Sequence, residues 1–141
     1  MPPPAGPPIG LHLTRTARVV SRAFDDALAV AGGSVPVWLI LISLKTERLA
    51  NQRRLAEAIG IQGATLTHHL NAMEADGLVT RRRDPTNRRV HLVELTRAGE
   101  ALFEHLRAAA IAFDRQLRSG LADEEITALR RLLDRLRANV A

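Results

Sequence analysis

The stretch between Asn51 and Leu95 limits the fold more tightly than any other part of the chain. Two short helix patterns meet there at a glycine-bounded turn and run straight into two β-prone segments. Asn51 can cap a helix over residues 52–58 that turns Leu55, Ala56 and Ile59 inward and Arg53 and Arg54 outward, and Gly60 stops it. A second helix, residues 63–76, aligns Leu66, Leu70, Met73 and finally Gly77 at i, i+4, i+7 and i+11. Its opposite face carries Ala64, Thr67, His68, Asn71 and Ala75, with Thr65 at the edge, while His69 leans toward the core. The exposed N-terminal half is therefore small, polar and almost uncharged. Residues 78–83 and 89–95 then flank Asp84-Pro85-Thr86-Asn87, a turn with proline at its second position, so arginines stand on both sides of a hairpin tip.

Two helices joined by a tight turn, with a basic hairpin directly after them, make the pattern of a winged helix-turn-helix. The charge map points the same way. Residues 46–97 carry +3 of the net +5, residues 98–141 carry none, and residues 81–89 alone hold five arginines against Asp84. A positive field focused on one short segment suits a polyanion partner, namely double-stranded DNA. Nineteen of the twenty basic residues are Arg, whose planar fork matches phosphate and guanine; a GC-rich genome accounts for most of that bias.

The flanking segments read as helices. Leu13, Ala17, Val20, Phe24, Ala27, Leu28 and Ala31 recur at helical spacing up to Gly32-Gly33. Ser34 can cap the next helix with Pro36 in its first turn, and residues 35–44 are apolar nearly all round but span only about half the ~20 residues a membrane crossing needs, so this is a buried helix. Thr96 caps a long helix with Leu102, Leu106, Ala110, Phe113 and Leu117 in register. The last helix repeats Ile126, Leu129, Leu133, Leu136 and Val140, with Asp123, Glu124 and Glu125 in its first turn and Arg135 and Arg137 near its end, in keeping with the helix dipole. A narrow apolar seam on a terminal helix of a 141-residue chain is most simply buried against a second copy, giving a homodimer. The expected fold class is mainly α with a small β-wing. Its parts are a flexible proline-rich arm (1–10), an N-terminal dimerisation helix (11–33), a winged helix-turn-helix domain (34–97, with the recognition helix about 63–76 and the wing about 79–95) and C-terminal dimerisation helices (98–141).

Several chemistries are absent from the sequence. With no cysteine there is no disulfide, thiolate ligand or thiol nucleophile, which is consistent with the cytoplasm. The first ten residues lack the basic and apolar regions of a signal peptide, so no membrane association is expected. None of His12, His68, His69, His91 and His105 is paired at i, i+4, so no metal and no cofactor is expected, although a metal-responsive regulator assembled across a dimer is an alternative. No G-x-S-x-G, P-loop, G-x-G-x-x-G or H-E-x-x-H string occurs, and no catalytic residue is assigned; the chain reads as a non-enzyme. A winged module for protein or RNA contact is the second alternative.

Three strings, Leu55-Ala56-Glu57-Ala58-Ile59-Gly60-Ile61, Leu70-Asn71-Ala72-Met73-Glu74-Ala75-Asp76-Gly77-Leu78-Val79-Thr80-Arg81, and Asp84-Pro85-Thr86-Asn87-Arg88-Arg89 running into Leu95-Thr96-Arg97-Ala98-Gly99, resemble the MarR family of bacterial transcription regulators over nearly the whole chain. The resemblance implies a dimer built from the first and last two helices, a pseudo-palindromic operator, and often release by a small aromatic or anionic effector. It places the minor-groove arginine of the wing on Arg88 and a wing-supporting arginine on Arg89. Where the family commonly has an acid, this chain has Asn87, which offers only a neutral hydrogen bond. His68 stands where a base-reading arginine is frequent, and lacks its bidentate fork. The candidate DNA contacts are thus Arg53, Arg54, Ala64, Thr65, Thr67, His68, Asn71, Arg81, Arg83, Arg88 and Arg89. By the same analogy an effector would lie near His12, Arg15, Trp38 and Ile42.

Overall fold

Helix ends in the computed structural model, which describes residues 1–47 and 49–141, follow the chemistry of their capping residues. Helix α1 (Ile9–Val30) starts directly after Pro8, whose carbonyl accepts from the His12 N–H at 3.1 Å, so Ile9 and Gly10 belong to the helix and not to the arm. In α2 (Val35–Thr46), Ser34 Oγ accepts from the Val37 N–H at 3.3 Å with Pro36 in the first turn. Asn51 Oδ1 caps α3 (Gln52–Ile59) by accepting from Arg53 N–H at 2.8 Å and Arg54 N–H at 3.2 Å. Gly60, at φ 79°, ends that helix in the left-handed conformation that glycine adopts without strain. Asn51→Ala should cost about 1 kcal/mol, measured as a lower urea midpoint, because two helix N–H groups lose their acceptor.

The remaining elements are β1 (Leu49–Asn51), α4 (Gly63–Ala75), β2 (Val79–Arg83), β3 (His91–Leu95), α5 (Arg97–Leu117) and α6 (Asp123–Val140). The sheet is three-stranded, ordered β1-β3-β2 and antiparallel throughout. The β-prone runs around Asp84-Pro85-Thr86-Asn87 predict only the β2–β3 hairpin. Three residues are too few to show an alternating pattern, and β1 is a strand because β3 offers it a free edge, pairing Leu49 with Glu94 and Asn51 with Leu92.

The chain divides into two compact units, Met1–Ala110 and Ile111–Ala141. In the first, α2 supplies the centre of the core with Ile40, Leu41 and Leu44, all fully buried. Leu28, Leu55, Ala56, Leu66, Leu70, Met73, Val79, Val93 and Leu106 complete it, so Leu66, Leu70 and Met73 of the line expected of α4 turn inward, whereas Gly77 is exposed just past the helix end. Gly33 lets α5 come close, since a Cβ there would lie 2.6 Å from Leu106 Cδ1. In the second unit α6 has no buried residue. Glu125 accepts from the Ala122 N–H at 2.9 Å and closes the start of that helix. No single helix among the described residues is long and apolar enough to cross a membrane.

Candidate nucleic-acid interface

Helices α3 and α4 and the β2–β3 wing lie in the first unit, and the side chains that tie them together are polar. Gln52, the first residue of α3, donates from Nε2 to Thr67 Oγ1 of α4 at 2.8 Å. Thr67 is accordingly half-buried, whereas Ala64, Thr65, His68 and Asn71 are exposed, and His69 is half-buried as its inward lean requires. An open groove of about 840 Å³ runs between this helix pair and the wing, with Gln52, Arg53, Gln62, Thr67, Arg89 and His91 among its lining residues.

The wing tip is built by its turn chemistry. Asn87 N–H donates to the Asp84 carbonyl at 3.2 Å, closing the four-residue turn, and Asp84 N–H donates to the Val90 carbonyl at 2.9 Å. Asp84 Oδ1 also accepts from Thr86 N–H at 2.9 Å and Thr86 Oγ1 at 2.7 Å, and these bonds hold its carboxyl below the usual range. Arg83 Nη1 donates to the Arg88 carbonyl at 3.3 Å. Asn87 Oδ1 accepts from the backbone N–H of Arg89 at 3.2 Å, so the neutral side chain braces the main chain and leaves the Arg89 guanidinium alone. Among the described residues, neither the Arg88 nor the Arg89 side chain makes a hydrogen bond or ion pair, and both are exposed. Asp84 was not among the candidate residues; an aspartate at the first position of a Pro-containing turn was the available signal.

Arg81 is placed differently from the other arginines. Its side chain is only 18% exposed, and Nη2 donates to Glu74 Oε1 at 2.9 Å and to Asn71 Oδ1 at 2.6 Å. The Arg81 N–H adds a 3.1 Å bond to Glu74 Oε2. Hydrogen bonding to Arg81 holds the Glu74 carboxyl below the usual range. A depressed carboxylate stabilises the fold fully above its ordinary value and loses that contribution only as pH falls through the lowered one, so the Glu74–Arg81 link is fully present at neutral pH and weakens under acid. Arg53 pairs with Glu57 at 3.6 Å and Arg54 with Glu47 at 3.5 Å, both on the surface.

The effector candidates are not brought together within one chain. Arg15 precedes the end of α1 by about 22 Å of helix axis, and His12 lies further back. Trp38 sits in the first turns of α2, stacked on Phe103 at 5.5 Å between ring centroids, and Ile42 lies one turn on. Among the described residues no group of three His, Cys, Asp or Glu could hold a metal ion.

A helix pair with a polar exposed face, followed by a cationic three-stranded wing, defines a winged helix-turn-helix DNA-binding regulator of transcription. The MarR family profile matches residues 34–91. Among solved structures, a probable transcriptional regulator from Pseudomonas aeruginosa is 30% identical over 92% of this chain and 96% of that one, with a TM-score of 0.78. CouR from Rhodococcus jostii, bound to p-coumaroyl-CoA, is 27% identical over 91% and 90%, with a TM-score of 0.74. A mutant MarR from E. coli complexed with operator DNA shares the fold at a TM-score of 0.81, with 22% identity over 92% and 93%. The chain belongs to the MarR family of transcriptional regulators.

Proposed function

We propose that two copies of this chain bind a two-fold symmetric duplex operator, each placing α4 in the major groove and Arg88 in the adjoining minor groove. The observation that carries this reading is the pair of unneutralised wing-tip cations, Arg88 and Arg89, in the same unit as an exposed, uncharged α4 face of Ala64, Thr65, His68 and Asn71. Thr67 and Gln52 buttress that face, and Arg53, Arg54 and Arg83 lie on the surface where phosphates would run. Binding to duplex DNA should weaken steeply with salt, whereas a salt-insensitive affinity, or equal affinity for single strands, would exclude it.

The dimer is supported by α6, which buries nothing by itself and leaves Leu129 47% and Leu132 45% exposed, and in the same unit Leu121 and Leu117 are 45% and 49% exposed. Because Leu129 is already half in solvent, Leu129→Glu should keep the helix content and convert a dimer to monomer in light scattering. A wild-type monomer at micromolar concentration would contradict the dimer. Release by a small aromatic or anionic effector is part of the proposal, as CouR was solved with p-coumaroyl-CoA bound. With His12 and Arg15 far along α1 from Trp38 and Ile42, a site using all four would draw residues from both copies.

A further inference from the structure

Asn71 lies on the exposed face of the helix that the proposed function puts in the major groove, yet its amide is not free to choose its orientation. The Arg81 guanidinium carries only donors, so at 2.6 Å it must face the carbonyl oxygen of Asn71, and this holds however the amide is assigned. Glu74 takes a 2.9 Å bond from the same Nη2 and a second from the Arg81 N–H, fixing the arginine from the other side. The Asn71 –NH2 group makes no hydrogen bond among the described residues and is the end left for a partner.

We infer that Arg81 is a specificity-positioning residue: by holding the oxygen of Asn71 toward itself, it fixes the amide so that the –NH2 end is presented to the operator. An unrestrained asparagine recognises adenine bidentately, accepting from N6 and donating to N7. The oxygen keeps a second lone pair, but with it turned to Arg81 and the –NH2 outward the amide is rotated away from the bidentate pose on adenine, so Asn71 matches instead an acceptor edge, guanine O6 and N7 or thymine O4. Arg81 itself, paired with Glu74, adds little to phosphate attraction. Its contribution to binding is therefore a base preference carried by another residue, and this inference rests on the proposed placement of α4.

The test is selection of bound sequences from random duplexes by the wild type, Asn71→Ala, Arg81→Met and Arg81→Lys, with thermal melting of each. Asn71→Ala should relax one position per half-site at which the wild type takes guanine or thymine. Folded Arg81→Met should enrich adenine there roughly tenfold while the other positions and the salt slope stay as in the wild type. One nitrogen, Nη2, meets both acceptors, and a lysine ammonium with three donors can take its place, so Arg81→Lys should fold and keep the wild-type preference. An adenine preference at that position in the wild type, no position affected by Asn71→Ala, or an unchanged preference in folded Arg81→Met overturns the inference while leaving the DNA reading intact. A wild type that enriches no duplex overturns the DNA reading, and this inference with it.

Discussion

Gly99→Ala should destabilise the first unit by about 3 kcal/mol, read as a large drop in the urea midpoint, because the new Cβ has nowhere to go. Gly99 is buried in the first turn of α5, and a Cβ built there overlaps the carbonyl oxygen of Leu78 and lies 3.1 Å from Leu95 Cδ2. The backbone cannot yield, since Thr96 stitches this turn down on three sides. Its N–H donates to the Leu78 carbonyl at 3.1 Å, its hydroxyl donates to the Gly77 carbonyl at 2.6 Å, and the same oxygen accepts from the Gly99 N–H at 3.0 Å. Gly63→Ala, where a Cβ meets nothing within 4 Å, is the matched control and should be close to neutral. Equal midpoints for the two variants would mean that the α5 start is not packed as described. Gly77 and Leu78 also join α4 to β2, so a displaced α5 start would shift the wing against the recognition helix.

The second large effect concerns the wing tip. Replacing Arg88 and Arg89 together by alanine should lower duplex affinity at least on the order of 100-fold at moderate salt and flatten the slope of log affinity against log salt by about four units, one for each unpaired cation removed from the two copies. His68→Ala should leave that slope nearly unchanged and cost about 1 to 3 kcal/mol on the best sequence only, since a neutral imidazole reads base edges and not phosphate charge. If the double variant kept the wild-type slope, the free guanidinium groups at the tip would have no role in binding.

Much of this arrangement was legible in the sequence because it is local. Ser34, Asn51 and Gly60 act within four residues of themselves, as does Thr96 in capping α5, and the α4 line of Leu66, Leu70 and Met73 follows from helix periodicity alone. Interactions that bridge distant segments were not legible. The strand β1 exists only through β3, and Gln52 reaches Thr67 across the helix-turn-helix. Arg81, grouped by its neighbours with the DNA-facing arginines, turns onto Glu74 and Asn71 because the strand that carries it packs against α4. The composition of the wing showed how many cations it holds, but not which of them are already spent on the protein itself.

Hydroxyl-radical footprinting on a selected duplex, comparing wild type with Arg88→Ala, shows whether the wing enters the minor groove, because the radical reports minor-groove access at each sugar. Two protected windows related by two-fold symmetry are expected, with half-site centres about one helical turn or ~34 Å apart, and Arg88→Ala should lose the minor-groove protection under the wings while the rest of the footprint persists. A single window without two-fold symmetry, or a footprint identical in the two proteins, would contradict the placement of the wing in the minor groove.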